Sequence, residues 1–167
     1  MKNLYIDFDG VILDTIDVTY RLLENENIDV KDIKTVENFY KTLDWKNLLS
    51  ITPEINHAFS CIQELLDSKK FNIAILTHVN SLDEMIEKVK FIRKHTDHLT
   101  IIPVPKPLSK TKMVRAKDAI LIDDYTKNLK EWKQEGGIGI KFSKKPKESE
   151  FITISSLNQI LEMECVK

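Results

Sequence analysis

This sequence contains little cysteine, and it has no excess of positive or negative charge. Only two of the 167 residues are cysteines, Cys61 and Cys165, and the formal net charge is −1. The two cysteines stand far apart without neighbouring metal ligands, so we expect free thiols in the reducing cytoplasm rather than a disulfide framework. The balanced charge gives no reason to expect a stable nucleic-acid partner or binding to a membrane surface.

Long hydrophobic runs are also missing. No apolar stretch approaches the ~18 residues that a transmembrane helix needs, so we expect no membrane-embedded segment. The N-terminal residues lead directly into a predicted strand, so we expect no signal peptide. Hydrophobic residues make up 42% of the sequence and charged residues 31%, which is typical of one soluble globular domain with a substantial core.

Apolar runs of strand length alternate along the chain with amphipathic segments of helix length. This alternation predicts a Rossmann-like α/β fold, with a doubly wound, mostly parallel sheet covered by helices on both faces. Strands are predicted at 3–9, 71–77, 99–104, 118–122, 138–142 and 151–154. Helices are predicted at 15–26, 31–43, 53–69, 81–95, 126–135 and 155–164.

The first two predicted helices form a candidate cap. We expect residues 16–50 to be a small helical cap inserted after the first strand, and residues 1–15 and 51–167 to form the core. Phe39, Tyr40 and Trp45 could stack on a ligand, but a segment this small needs its aromatic side chains for its own packing.

Two carboxylates stand one residue apart at the end of the first predicted strand. Alternation along the strand places Asp7 and Asp9 on one face and Phe8 on the other, and Gly10 permits a sharp exit. At an effective dielectric constant of 20, two such charges ~4 Å apart repel by about 4 kcal/mol. A cation or a proton between them would offset this cost, so the stretch indicates a functional site.

Further oxygen-bearing side chains end other predicted strands. Thr77 ends the second strand, and Asp123 and Asp124 follow the fourth. Ligands of parallel sheets bind beyond the carboxyl ends of the strands, so we expect these residues to meet the first acidic pair there. Clustered carboxylates favour Mg²⁺, and a hydroxyl with an ammonium group suits a phosphoryl group. With one carboxylate as nucleophile and another as proton donor, the set predicts covalent phosphoryl transfer to water.

The stretches DFDGV, IAILT and ILIDDY resemble the motifs of the haloacid dehalogenase (HAD) superfamily, in order and over the full chain. The resemblance implies that Asp7 is the nucleophile and Asp9 the general acid and base, with Thr77 and Gly10 at the phosphoryl group. An acid at position 9 favours a phosphatase over a dehalogenase or an ion-pumping ATPase.

The same resemblance implies a metal site. Mg²⁺ would be held by Asp7, the main-chain carbonyl of Asp9 and Asp123, with Asp124 in support. The C-terminal stretch LIDDYTKNLKEWKQEGGIGIKF is similar to the 5′-nucleotidase and deoxyribonucleotidase branch. It implies a nucleoside monophosphate as substrate, with another small phosphometabolite, such as a sugar phosphate, as the alternative.

A lysine should complete the site, and several are available. In the nucleotidase-like branch, a Glu-Lys pair followed by an aromatic residue and Val or Ile marks this lysine, and the stretch EKVKFI (87–92) matches, so we predict Lys88. Lys112 is the alternative and a predicted substrate-binding residue, with Lys110 and Lys106 ranked behind it.

Other interpretations compete with these. His78 could contact the substrate, although a lone histidine in a loop is more often incidental. A response-regulator receiver domain also combines acids, a threonine and a lysine, but there the acidic pair follows the first strand and the phosphorylated aspartate comes later. A HAD-like protein that only binds ligand is the remaining alternative, and intact Asp7, Asp9, Thr77 and Asp123 argue against it.

Overall fold

The computed structural model describes residues 1–145 and 148–164, so Cys165 lies outside the described residues. Within these ranges six strands are found: β1 (Lys2–Ile6), β2 (Phe71–Val79), β3 (Thr100–Pro105), β4 (Ile120–Asp123), β5 (Ile138–Phe142) and β6 (Ile152–Ile154). They form one sheet in the order β3-β2-β1-β4-β5-β6, and every pairing is parallel. The predicted Rossmann-like sheet is confirmed.

The helices lie between the strands, as predicted for right-handed crossovers. The α-helices are α1 (Thr15–Asn25), α2 (Ile33–Thr42), α3 (Trp45–Ile51), α4 (Ala58–Asp67), α5 (Leu82–Arg93) and α6 (Thr126–Gln134). Short 3₁₀ segments span Lys110–Lys112 and Leu157–Glu162, and the latter replaces the predicted final α-helix. Among the described residues, no helix is both long and apolar enough to cross a membrane.

The hydrophobic core lies on both faces of the sheet. Leu4 and Ile6 of β1 pack into a larger cluster with α3, α4 and α5, whereas Tyr5 packs against a second cluster that includes Trp132 of α6. This division follows from the alternation of side chains along a strand. The sheet is therefore covered on both sides, which explains the nearly continuous apolar sequence of its central strands.

The register of the central strands fixes where the acidic residues meet. Ile6 lies opposite Ile75 of β2 on one side and Ile122 of β4 on the other. Asp7 and Asp123 each come one residue later, and the Asp7 amide donates to the Ile122 carbonyl at 2.9 Å. Parallel pairing therefore brings residues 116 positions apart in sequence to the same edge of the sheet.

Three helices, rather than the two expected, occupy residues 15–51, all of which the structure describes. The additional helix α3 begins after Asp44, whose carboxylate accepts from the Asn47 amide at 2.9 Å. Its Trp45, Leu48 and Leu49 side chains are buried in the larger core cluster. The end of this segment therefore packs into the core beside the sheet.

Helix α4 begins at Ala58, not at Pro53 as predicted. The Thr52 hydroxyl donates to the Leu48 carbonyl at 2.7 Å, so it closes the preceding helix instead of capping the next one. His57 then adopts a left-handed conformation with φ of 56°, which interrupts any helix that began earlier.

Candidate active site

A cluster of three carboxylates lies at the carboxyl end of the sheet. Oxygen atoms of Asp7, Asp123 and Asp124 all lie within 4.8 Å of one another. Asp7 and Asp123 are buried, and Asp124 is half-buried. The sequence predicted a common location for these three acids together with Asp9, which is not part of this cluster. Asp7 and Asp9 lie beyond the end of β1, in the turn, and not within the strand as predicted.

Gly10 makes room for this cluster. Its φ of +72° suits glycine, and its amide donates to the Leu13 carbonyl at 2.8 Å to close the turn after β1. A Cβ atom at position 10 would lie 2.3 Å from Oδ2 of Asp124. Glycine therefore serves both the turn and the close approach of Asp124.

The Asp123 carboxylate is held by three donors. Its Oδ2 accepts from Lys110 Nζ at 2.6 Å and from Asn128 Nδ2 at 2.9 Å, and its Oδ1 accepts from the Tyr125 amide at 2.8 Å. Helix α6 follows directly, which brings Asn128 back over the end of β4. These contacts fix the direction in which Asp123 presents its remaining lone pairs.

Lys110 links two of the acids. Its Nζ lies 2.8 Å from Oδ1 of Asp7 and 2.6 Å from Oδ2 of Asp123, and its side chain is 1% exposed. Burial lowers the pKa of Lys110, but attraction to Asp123 and Asp7 outweighs burial and raises it, so the ammonium stays protonated.

The cluster carries more negative charge than Lys110 balances. Burial raises the pKa of Asp7 to about 7; Lys110 opposes this rise, whereas Asp123 and Asp9 add to it. Burial, with repulsion from Asp7 and Asp123, raises the pKa of Asp124 to about 8. Buried carboxylate oxygens with uncompensated charge are what a hard divalent cation requires, so the residues present fit Mg²⁺.

Asp9 lies apart from this cluster and has its own partners. Its Oδ1 accepts from the Thr15 hydroxyl at 2.7 Å, and its Oδ2 accepts from Lys88 Nζ at 2.5 Å and from the Thr77 hydroxyl at 3.4 Å. Burial raises the pKa of Asp9, but the charge and hydrogen bond of Lys88 outweigh burial and lower it. The two acids of the opening motif therefore occupy different electrostatic environments.

The predicted lysine on helix α5 also reaches the site. Lys88 Nζ contacts Glu84 Oε1 at 2.6 Å, the His78 carbonyl at 3.1 Å and Thr77 Oγ1 at 3.3 Å, in addition to Asp9. Burial lowers the pKa of Lys88, but attraction to Asp9 and Glu84 outweighs burial and raises the pKa above its usual value. The ammonium is therefore charged although its side chain is 1% exposed.

The structure does not place Lys112 at the site. Lys112 is exposed, whereas Lys110, two residues earlier in the same 3₁₀ turn, is the buried residue that reaches the carboxylates. Residues of one 3₁₀ turn project in different directions, and here it is Lys110 that projects toward the carboxylates. Substrate binding by Lys112 therefore stays a prediction, and the lysine that the structure brings to the carboxylates is Lys110. Lys106 is exposed and lines the cavity above the site.

His78 holds the loop after β3. Its Nε2 lies 2.8 Å from the Leu108 carbonyl, and burial lowers its pKa. The ring also lines the cavity, so both a loop-holding role and contact with a ligand are compatible with its position.

Four polar residues at the site were missed or undervalued from the sequence: Thr15, Glu84, Lys110 and Asn128. Glu84 carried a signal, because it stands one helical turn before Lys88. It was interpreted only as part of a capping box. Its amide does donate to Ser81 Oγ at 3.0 Å, but its carboxylate binds Lys88 and Asn80. Thr15 and Asn128 carried no comparable signal.

A cavity of about 560 Å³ opens above Asp7 and Asp9. Its walls come from the sheet edge, from helices α1 to α3, from the loop after β3 and from the start of α6. Tyrosine and tryptophan side chains contribute to it: Tyr20, Tyr40, Trp45 and Tyr125. The two acids therefore face a space that can hold a small organic molecule.

Known proteins resemble this chain in fold rather than in sequence. A scan against protein-family models gives no match, and a search of the curated proteins gives none either. A HAD phosphatase from Thermococcus onnurineus matches with a TM-score of 0.64 at 14% identity, over 97% of each chain. The HAD-hydrolase YfnB from Bacillus subtilis, bound to magnesium, matches at 0.62 and 16%, over 96% of this chain and 97% of that one.

This chain has the HAD fold. A third neighbour, the D,D-heptose 1,7-bisphosphate phosphatase from Burkholderia thailandensis, has a TM-score of 0.58 at 10% identity, over 96% of each chain. At such identities the likeness establishes the HAD fold alone. The chemistry has to be argued from the residues at the sheet edge.

Proposed function

We propose that this protein is a Mg²⁺-dependent phosphomonoester hydrolase that acts through an aspartyl-phosphate on Asp7. The observation that carries the proposal is the separation of the two motif acids. Asp7 belongs to the carboxylate cluster with Lys110, whereas Asp9 lies outside it and is bonded to Thr15 and Lys88. A nucleophile beside a cation site and a separate proton carrier are the two parts that covalent hydrolysis requires.

In the first step an Asp7 oxygen forms a bond to phosphorus while the ester P–O bond breaks. The bonding pair stays on the leaving oxygen, which takes a proton from Asp9. In the second step Asp9 accepts a proton from water as the water oxygen attacks phosphorus, and the Asp7–phosphorus bond breaks. Thr77, buried beside Asp9, would donate its hydroxyl hydrogen to a phosphoryl oxygen.

Asp7, Asp123, Asp124 and the main-chain carbonyl of Asp9 would hold Mg²⁺. When bound, the cation supplies positive charge that offsets the charge of the phosphoryl oxygens. Lys110 is the lysine that we assign to the phosphoryl group. Its two hydrogen bonds to Asp7 and Asp123 leave the third N–H of the ammonium without a partner among the described residues.

We propose a nucleoside monophosphate as the substrate. A cavity of about 560 Å³ with aromatic side chains in its wall suits a base and a ribose. The likeness in fold to a heptose bisphosphate phosphatase makes a sugar phosphate the second candidate. Residues 16–50 would act as the cap that selects between these, because their side chains line part of the cavity.

A phosphate-release screen tests the function. Ribo- and deoxyribonucleoside monophosphates would be compared with sugar phosphates, with Mg²⁺ and with a chelator. We expect release that needs Mg²⁺ and is fastest for a nucleotide. Turnover of sugar phosphates alone would overturn the substrate class and leave the chemistry standing. Tight phosphate binding without turnover of any ester would instead indicate a binding protein.

A further inference from the structure

Two lysines are buried at the site, and their hydrogen bonds differ in kind. An ammonium group has three N–H donors. Lys88 Nζ has four acceptors within hydrogen-bond distance, more than it has donors: Asp9 Oδ2 (2.5 Å), Glu84 Oε1 (2.6 Å), the His78 carbonyl (3.1 Å) and Thr77 Oγ1 (3.3 Å). Lys110 bonds to two carboxylates, which leaves one donor without a partner among residues 1–145 and 148–164. Lys88 therefore has no donor left for a phosphoryl oxygen, and Lys110 has one.

Aromatic side chains also restrict the Lys88 ammonium. Its Nζ lies 5.0 Å from the centre of the Trp45 ring and 5.5 Å from that of Phe8. Cation–π contacts of this length stabilise a desolvated ammonium in place. Lys88 is thus held on several sides, and its bond to Asp9 links it to the proposed proton carrier.

Glu84 is the second member of this arrangement. It is 1% exposed; its Oε1 binds Lys88, and its Oε2 accepts from the Asn80 amide at 2.6 Å and from Asn80 Nδ2 at 2.9 Å. A buried carboxylate is costly unless its partners compensate for the loss of water, and replacing such ion pairs by apolar residues is often neutral or stabilising. Fold stability alone therefore gives little reason for a buried Glu84–Lys88 pair.

We propose that Glu84 is a positioning residue for Asp9. Glu84 holds Lys88, and Lys88 holds Oδ2 of Asp9 while Thr15 holds Oδ1. The plane of the Asp9 carboxyl group is thereby fixed in the orientation from which its protonated form gives a proton to the leaving oxygen. The inference rests on the proposed hydrolysis and assigns Lys88 to the proton carrier instead of to the phosphoryl group.

The dependence of rate on the leaving group tests this role. p-Nitrophenolate leaves without a proton, whereas an alkoxide such as that of glycerol phosphate or a nucleoside needs one. In E84Q we expect kcat/KM to fall at least tenfold for the alkyl ester and less than about threefold for p-nitrophenyl phosphate, since general acid catalysis contributes about 10²–10⁴ in rate. E87Q is the matched control, because Glu87 pairs with the exposed Lys90 on the same helix; we expect no change for either ester.

A double variant protects the test against misfolding. E84Q/K88M removes the buried ammonium of Lys88 together with the negative charge of Glu84. We expect it to show the same loss of kcat/KM as E84Q, for the alkyl ester alone. An equal loss for all leaving groups, with weaker inhibition by inorganic phosphate, would overturn the inference and return Lys88 to the phosphoryl group. Unchanged kinetics in E84Q would overturn it as well. A wild-type protein that hydrolyses neither ester would instead contradict the proposed function itself.

Discussion

Gly10 and Asp124 lie so close together that a single added carbon would collide with the carboxylate. The Cβ position of residue 10 is 2.3 Å from Oδ2 and 2.8 Å from Cγ of Asp124. Asp124 directly follows β4, more than a hundred residues further along the chain. Glycine at position 10 is therefore required both by the positive φ of the turn and by the nearby Asp124 carboxylate.

Gly10→Ala should abolish Mg²⁺ binding. The new methyl group would displace the Asp124 carboxylate from the cluster, because the side chain can move more easily than the backbone. We expect the Mg²⁺-dependent rise in melting temperature to disappear and phosphate release to fall at least a hundredfold. Differential scanning fluorimetry with and without Mg²⁺, together with an activity assay, checks both.

Gly136→Ala is the control for that variant. Gly136 also has a positive φ, +80°, but a Cβ there would meet only Lys117, at 3.6 Å or more. Both variants should lose stability through the left-handed conformation, by about 1–2 kcal/mol. Only Gly10→Ala should lose the response to Mg²⁺. An equal Mg²⁺ response in the two variants would argue against a metal site that includes Asp124.

Lys110→Met should inactivate the protein, whereas Lys112→Met should not. Removing Lys110 leaves the buried Asp7 and Asp123 without their shared cation, which costs about 3–5 kcal/mol when one partner of a buried pair is removed. Lys112 is exposed, and its loss should change neither stability nor rate. Urea unfolding and phosphate release measure the two effects. Activity lost in Lys112→Met but kept in Lys110→Met would reverse this assignment.

The metal-free protein should lose stability as pH rises. The pKa values of Asp7 and Asp124 in the folded protein are about 7 and about 8, whereas an unfolded aspartate titrates near 3.9. Between about pH 4 and pH 8 the folded protein therefore holds protons that the unfolded chain has released, so the free energy of unfolding falls with rising pH. Asp124→Asn should flatten this dependence in urea titrations.

The stabilisation by Mg²⁺ should have the opposite trend. The cation competes with those protons, so the rise in melting temperature at a fixed Mg²⁺ concentration should be larger at pH 8 than at pH 6. Calorimetry should record proton release on binding at pH 6 and less of it at pH 8. A melting-temperature rise that is independent of pH would contradict the location of Mg²⁺ at these carboxylates.

Tyr20→Ala should weaken the binding of nucleotides. Tyr20 is 49% exposed on α1 and lines the cavity, so its loss should cost little stability. Base stacking on an aromatic ring contributes about 1–3 kcal/mol, and for a half-exposed ring we expect KM for a nucleoside monophosphate to rise about fivefold to tenfold. Tyr20→Phe should keep the wild-type KM for the nucleotide, and KM for glycerol phosphate should be unchanged in both variants. An equal rise for both substrates would argue against a bound base.

Most of the fold could be predicted because strand sequences in a covered parallel sheet are distinctive. The bounds 138–142 of β5 were predicted as observed, since Gly136 and Gly137 end the preceding helix. Helix α3 was missed because seven residues show too little periodicity. The predicted start of α4 was wrong because the Thr52 hydroxyl bonds to Leu48 in the preceding helix instead of capping the next one. The local sequence does not distinguish these two hydrogen bonds.

The acids of the site could be located from the sequence, but its lysines could not be ranked. Strand register alone places Asp7 beside Asp123. The direction of Lys110 depends on a 3₁₀ turn in a proline-rich loop, where no helical or strand period applies. Lys88 was found through a motif, but its saturated donors became visible only with Glu84 and His78 in place.

The most direct test of the central claim is phosphate release by Asp7→Asn in the presence of Mg²⁺. The substitution keeps the size of the side chain and removes the nucleophile. We predict no turnover of any phosphomonoester, while the wild-type protein forms an acid-stable, hydroxylamine-sensitive phosphoryl adduct on Asp7. Full turnover by Asp7→Asn would contradict covalent catalysis at this residue.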